Sequence, residues 1–404
     1  MSIMHSLVLL SGVLALSQIV ASALAPATKQ CVQLEVPVPV IATNRHYSMP
    51  RVDSNIDAID WTVNVTTWSE PSAEDRSIRL LPINSTFKIS AQLCVPLQSG
   101  PKANVLQIAT PGLGFDKRYW DVEINPAEYS YVDAAVGKGY SILTYDRLGT
   151  GKSDKPNAYD VVQIPAEVEI IAGLTKLARS GKLLSSSKVV SRSVAASDSA
   201  TPLSSFRPSK VVQVGHSFGA FLVALNLAKY GSLADGAILS GLLTTNLTTM
   251  IDVLHYDHEF AREHDPVRFG DYPSGYFVLN TQSCLQKLFL RNGAFEPEML
   301  PYVEKIKAPE AVGEYASEGT NPFQPALDFK GPLQFFNGEF DNFICRGDCR
   351  GIYNETAARV LFPGVPMADL VSYLQPNTGH ALTVATNASA GYQVMLQFLD
   401  SRGL

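Results

Sequence analysis

Five short apolar runs organise the chain from residue 104 onward: "NVLQIATPGLG", "YSILTYDRLGTG", "KVVQVGHSFG", "GAILSGLL" and "PLQFFNGEFD". Each has the length of a strand and ends in a turn that carries glycine. Helix-like segments, such as 161–183 and 218–230, separate most of them. A strand that is apolar at nearly every position is covered on both faces, and helices between such strands build a parallel sheet. The pattern predicts an α/β fold, with a mostly parallel sheet and helices on both faces. Ligand sites in such sheets form at the carboxyl ends of the strands, so chemistry-bearing residues are expected just after each run.

The flanking segments differ. "VQLEVPVPV" sets Val32, Leu34, Val36, Val38 and Val40 on one face, and "FKISAQLCV" repeats the alternation with Phe87, Ile89, Ala91 and Leu93. These form an opening antiparallel pair, and Pro37 and Pro39 imply an edge, because proline cannot donate to a ladder. Residues 185–209 hold ten serines and read as a flexible surface loop. Residues 244–330 show helix-like segments, many aromatics and no clear parallel strand. They read as a helical lid inserted at the carboxyl edge of the sheet. The expected organisation is a leader at 1–23, sheet core at 24–243 and 331–404, and the lid at 244–330.

The run "VVQVGHSFGA" leads into Gly215-His216-Ser217-Phe218-Gly219 and then a helical pattern. A strand, G-x-S-x-G and a helix make a nucleophile elbow, in which Gly215 and Gly219 relieve the turn and leave the Ser217 hydroxyl exposed. A serine needs a base, and the base an orienter; in this kind of sheet the order is Ser, acid, His. His380, in "LQPNTGHAL", is the expected base. His5 falls in the leader, His46 near the N-terminus, and His255, His258 and His264 in the lid, while His216 is expected to point away. Asp341, at the end of "PLQFFNGEFD", is the expected acid, with Glu339 its nearest rival and Asp348 and Asp369 less suited. The amides of Phe218 and Leu113 are expected to bind the oxyanion, Leu113 lying between Gly112 and Gly114.

Residues 1–25 combine an apolar stretch with small residues at 21–23, the layout of a signal peptide. The stretch is short for a membrane anchor, and no later segment reaches that length. Secretion predicts disulfides. Cys31 and Cys94 could face each other across neighbouring strands, Cys345 and Cys349 could close one short loop, and Cys284 is left over. Asn64, Asn84, Asn246, Asn354 and Asn387 begin glycosylation sequons. With a net charge of −6 and no long basic run, the chain has no nucleic-acid footprint. No Cys/His spacing suits zinc, and neither metal nor cofactor is expected.

"YDRLGTGKSDKP" at 145–156, together with "GHSFG", "NGEFD" and "TGHAL", resembles the α/β-hydrolase fold family over most of residues 31–404. The resemblance implies that fold, and a structural role for the turn at Asp146. "CVQLEVPVPVIATN" and "FICRGDC" look similar to secreted fungal members. Where the family commonly has His-Gly before the oxyanion donor, this chain has Pro111-Gly112, so Leu113 is assigned by position. Relatives that share the "GKSDKP" turn but carry aspartate as nucleophile, the haloalkane dehalogenases and epoxide hydrolases, are disfavoured by Ser217.

The expected function is a secreted, extracellular serine hydrolase acting on small, apolar carboxylic esters or lactones. An acyltransferase or cyclising thioesterase would use the same triad. An amidase or aminopeptidase would need an acidic anchor for the substrate amine, for which Glu259, Glu263 and Asp265 are candidates. A non-catalytic binding protein is the remaining alternative.

Overall fold

A computed structural model describes residues 29–66, 71–98, 100–193, 203, 206–243 and 256–404. The leader at 1–23, Asn246, the start of the insertion at 244–255 and much of the serine-rich segment lie outside the described residues. The five apolar runs form strands β3 (Val105–Thr110), β4 (Ser141–Tyr145), β6 (Lys210–His216), β7 (Gly236–Ser240) and β11 (Leu333–Gly338). With β1 (Lys29–Tyr47), β2 (Ser77–Pro96), β5 (Lys188–Arg192) and β12 (Leu370–Gln375), they make a nine-stranded sheet ordered β12-β11-β7-β6-β3-β4-β2-β1-β5. The six strands from β12 to β4 are parallel, and β2, β1 and β5 extend the sheet antiparallel.

Both faces of the parallel part are covered, as the unbroken apolar runs require. Along β6, Val211 joins one buried cluster, and Val212 and Val214 the other. Helices α1 (Tyr131–Gly137) and α4 (Ala388–Asp400) pack on the second face; α2 (Ile164–Arg179) and α3 (Phe218–Tyr230) pack on the first. In β1 the alternate valines are buried and Pro37 and Pro39 exposed. Strand β5 pairs with only Val32–Glu35, so both prolines lie where β1 has no partner on that side.

The serine-rich segment is not wholly a loop, because Lys188–Arg192 forms the edge strand β5 with every residue exposed. Its "KVVSR" pairs with β1 through the backbone ladder and a Lys188–Glu35 ion pair, neither of which leaves an apolar pattern in the composition. The insertion also departs from an all-helical expectation. Beside helix α5 (Val312–Glu318) and other short helices it carries a three-stranded antiparallel sheet of β8 (His258–Phe260), β9 (Tyr276–Leu279) and β10 (Glu310–Ala311). Strands of two to four residues leave too little period-two signal to read. Among the described residues no helix is long and apolar enough to cross a membrane.

Cys31 stands directly opposite Cys94 in the β1–β2 ladder and is bonded to it, and Cys345 is bonded to Cys349. Cys284 is buried and in neither bridge. Asn64, Asn84 and Asn354 are exposed. Asn387 is different: its Nδ2 donates to the Pro376 carbonyl at 2.8 Å, and its Oδ1 accepts from Gln375 and Thr378. The side chain of that sequon is committed to internal bonding.

The two bridges close loops of 63 and 4 residues. Chain entropy then gives the Cys31–Cys94 bridge about 4 kcal/mol and the other about 2 kcal/mol. Thermal unfolding of Cys31→Ala/Cys94→Ala and Cys345→Ala/Cys349→Ala variants should show the larger drop in melting temperature for the first.

Candidate active site

The turn between β6 and α3 holds Ser217 at φ 56°, ψ −124°, a conformation costly for any residue with a Cβ. The two glycines make it feasible. A Cβ at Gly215 would stand 2.5 Å from the Ala220 Cα, and one at Gly219 2.4 Å from the Thr110 carbonyl oxygen. The Ser217 N–H donates to the Ser240 carbonyl at the end of β7, 2.8 Å away.

Asp341 follows β11 and His380 follows β12, and these strands are neighbours, so their loops meet. The Phe340 N–H donates to the Thr378 carbonyl at 2.9 Å. The Asp341 carboxylate accepts from His380 Nδ1 at 2.6 Å through Oδ2 and from the Ile344 N–H at 2.8 Å through Oδ1. Both side chains are buried. With the proton on Nδ1, neutral His380 presents a lone pair at Nε2. That atom has no hydrogen-bond partner, so the bond to Ser217 that acyl transfer requires is not made here; such bonds commonly tighten only with substrate.

Glu339 is engaged elsewhere. Its Oε2 accepts from the Asn377 N–H at 2.9 Å and braces the loop that carries His380. Asp348 pairs with Arg350, and Asp369 with Arg402. His46 pairs with Asp160 and His264 with Glu259, while His258 sits among the rings of Trp61, Tyr256, Phe277 and Tyr315. His5 and His255 lie outside the described residues.

His216 does not point away. Its ring lies 4.7 Å from that of His380 and stacks on Tyr119 at 4.6 Å. Alternation along β6 puts it on the face of Val212 and Val214, where Tyr119 and Trp120 also lie, and the loop that bears His380 closes over that face. The Ser240 hydroxyl donates to the Gly215 carbonyl, so His216 Nδ1 donates to Ser240 Oγ, at 3.1 Å. Burial, reinforced by nearby His380, holds the His216 pKa well below the usual 6.5.

The loop Pro111–Gly114 lies against the elbow, where a Cβ on Gly112 would stand 3.0 Å from the Ser217 Cβ. Among the described residues neither the Leu113 N–H nor the Phe218 N–H donates to another protein group. Asp146 accepts from the Lys117 N–H and Nζ and from the Lys152 N–H, fastening the loop after β3 to the turn after β4. Beside it, the wholly buried Arg147 bonds Glu167 and Glu314. This cluster escapes sequence reading, since its members are separated by 20 and 167 residues.

The profile described as the alpha/beta hydrolase family matches residues 108–388. No curated protein matches the chain. Among solved structures, an esterase from Thermogutta terrifontis aligns with a TM-score of 0.51 and 13% sequence identity, covering 79% of this chain and 96% of that one. A bromoperoxidase from Bacillus anthracis gives 0.49 and 17%, covering 78% and 96%. An enol-lactonase from Burkholderia xenovorans gives 0.46 and 14%, covering 78% and 97%.

Two outcomes test this geometry. Gly219→Ala should destabilise the protein by about 1–3 kcal/mol in urea unfolding, since its methyl meets fixed backbone. The unfolded chain takes up a proton at His216 near pH 6.5 that the native state refuses. Stability present above that pH is therefore lost as pH falls below it. His216→Asn should remove up to about 1.4 kcal/mol per pH unit of this slope.

Proposed function

The chain belongs to the alpha/beta hydrolase family, and from that premise we propose that it is a secreted serine hydrolase of carboxylic esters or lactones. The observation that carries the reading is the buried His380–Asp341 pair, 2.6 Å apart, at the same sheet edge as a strained Ser217. In this mechanism Ser217 Oγ attacks the acyl carbon while His380 Nε2 takes its proton. The Asp341 carboxylate holds the ring and stabilises the imidazolium. The Leu113 and Phe218 amides take the charge that develops on the carbonyl oxygen. His380 then returns the proton to the leaving alcohol, and water repeats the sequence to free the acid. The segment 244–330 acts as the lid, and the two disulfides and exposed sequons support export. Neutral His216 adds no cation to compete with the imidazolium beside it.

An amidase or aminopeptidase is the second reading, and one observation favours it. The three carboxylates that sequence alone offers as anchors are occupied: Glu259 pairs with His264, Glu263 accepts from the Asn55 N–H, and Asp265 caps the short helix at Pro266–Phe269. Glu310, in β10, is buried, and its Oε1 lacks a partner while lying 2.8 Å from the position of a Cβ on Gly114. That oxygen could receive a substrate ammonium.

A fluorophosphonate probe should label Ser217, and Ser217→Ala and His380→Ala should abolish labelling of folded protein. Asp341→Asn should lower kcat on p-nitrophenyl acetate by roughly 10³–10⁴-fold. Labelling elsewhere, or none in the open mature protein, would refute the assignment. Comparing an amino-acid p-nitroanilide with the ester separates the two readings; Glu310→Gln should impair only the amine-bearing substrate if the second holds.

A further inference from the structure

The turn after β4 carries a buried charge that this mechanism does not use. Arg147 Nη1 donates to both carboxyl oxygens of Glu167 in α2, at 2.9 and 3.1 Å, and to Glu314 in α5 of the insertion. Its Nη2 lies 3.4 Å from the Gly112 carbonyl oxygen. Its guanidinium carbon is 5.0 Å from the centre of the Phe218 ring. Glu314 is itself fixed, because its Oε2 accepts from the Ala311 N–H at 2.7 Å. One side chain thus touches a core helix, the insertion and both residues that flank or supply the oxyanion donors.

The contact with Gly112 matters for a covalent reason. The Gly112 C=O and the Leu113 N–H belong to one planar peptide and point in opposite directions. Whatever holds that oxygen toward Arg147 turns the Leu113 N–H the other way. On the second donor, the guanidinium packs over the ring of Phe218, whose own backbone N–H begins α3. The planar fork divides the contacts between two nitrogens, Nη1 taking both carboxyl groups and Nη2 facing the carbonyl, a fixed spread that the single nitrogen of an ammonium lacks. Stability alone gives little reason for such a cluster, since buried ion networks are often replaced by apolar groups at no cost. Burial, opposed by the Arg147 charge and reinforced by nearby Glu314, holds the Glu167 carboxyl above its ordinary range.

We propose that Arg147 is a positioning residue that couples the insertion to the oxyanion pocket, holding the peptide between Gly112 and Leu113, and Phe218, in the orientation acyl transfer needs. The inference rests on the serine-hydrolase reading above. Displacing α5 would move Glu314, loosen the guanidinium and let the Leu113 peptide rotate, so that the pocket is complete only with the insertion seated.

The test separates positioning from folding. Removing Arg147 alone would strand buried carboxylates, so the informative variant is the charge-neutral Arg147→Met/Glu167→Gln/Glu314→Gln, with Arg147→Lys beside it in case the triple variant does not fold. Three readouts are needed: melting temperature, kcat and KM for p-nitrophenyl acetate, and hydrogen exchange of peptides covering 110–118 and 214–222. We expect the triple variant to fold, kcat to fall by about 10²-fold with KM little changed, and exchange at the Leu113 and Phe218 amides to rise. Arg147→Lys should shift both in the same direction by less. Wild-type kcat and wild-type exchange in either folded variant would overturn the proposal. If the wild-type protein shows no Ser217-dependent hydrolysis, the hydrolase reading fails by itself, and the exchange data still decide whether Arg147 orients these amides.

Discussion

The close approach of the Ser217 turn to the backbone of the neighbouring strand governs the carboxyl edge of the sheet. Helix α3 begins one residue after Ser217 and runs back over the sheet with Gly219 pressed against the Thr110 and Pro111 carbonyls. That contact fixes how far the serine projects and where the loop after β3 must pass. It also brings Gly112 within side-chain distance of Ser217. A single methyl at the contact would separate elements whose relative placement is the site.

Charge at this edge is controlled by burial and pairing. An isolated charge is expensive away from water, and charged groups near Ser217 have partners: Asp341 with His380 and a backbone N–H, Asp146 with Lys117 and two backbone N–H groups, Arg147 with two carboxyls. His216 takes the other course and stays neutral. Rings of Phe289, Phe343 and His216 surround His380, and its Nδ1 is bonded to Asp341.

Much of this arrangement is legible locally. Ser217, Asp341 and His380 each follow an apolar run, because a parallel sheet delivers the ends of its strands to one edge. Position alone ranks Asp341 above Glu339, but that Glu339 braces Asn377 requires the β12 loop in place. His216 defeats the expectation that it points away because it shares the face of Val212 and Val214, over which only the folded chain brings the His380 loop. The edge strand at Lys188–Arg192 is invisible in the sequence because backbone pairing to β1 leaves no apolar mark on its side chains.

The sequence by itself determined the class of fold and the tight glycine-flanked turn at Ser217, and it set Asp341 and His380 each after an apolar run, because periodicity and glycine placement are short-range properties. Tertiary structure alone decided which distant groups meet. Arg147 finds Glu314 across 167 residues, His216 settles against His380, and Asn387 turns inward to bond Pro376. Those meetings follow from how loops and the insertion close over the sheet edge, and burial makes them matter, since a charge or polar group removed from water must find its partner wherever the fold supplies one.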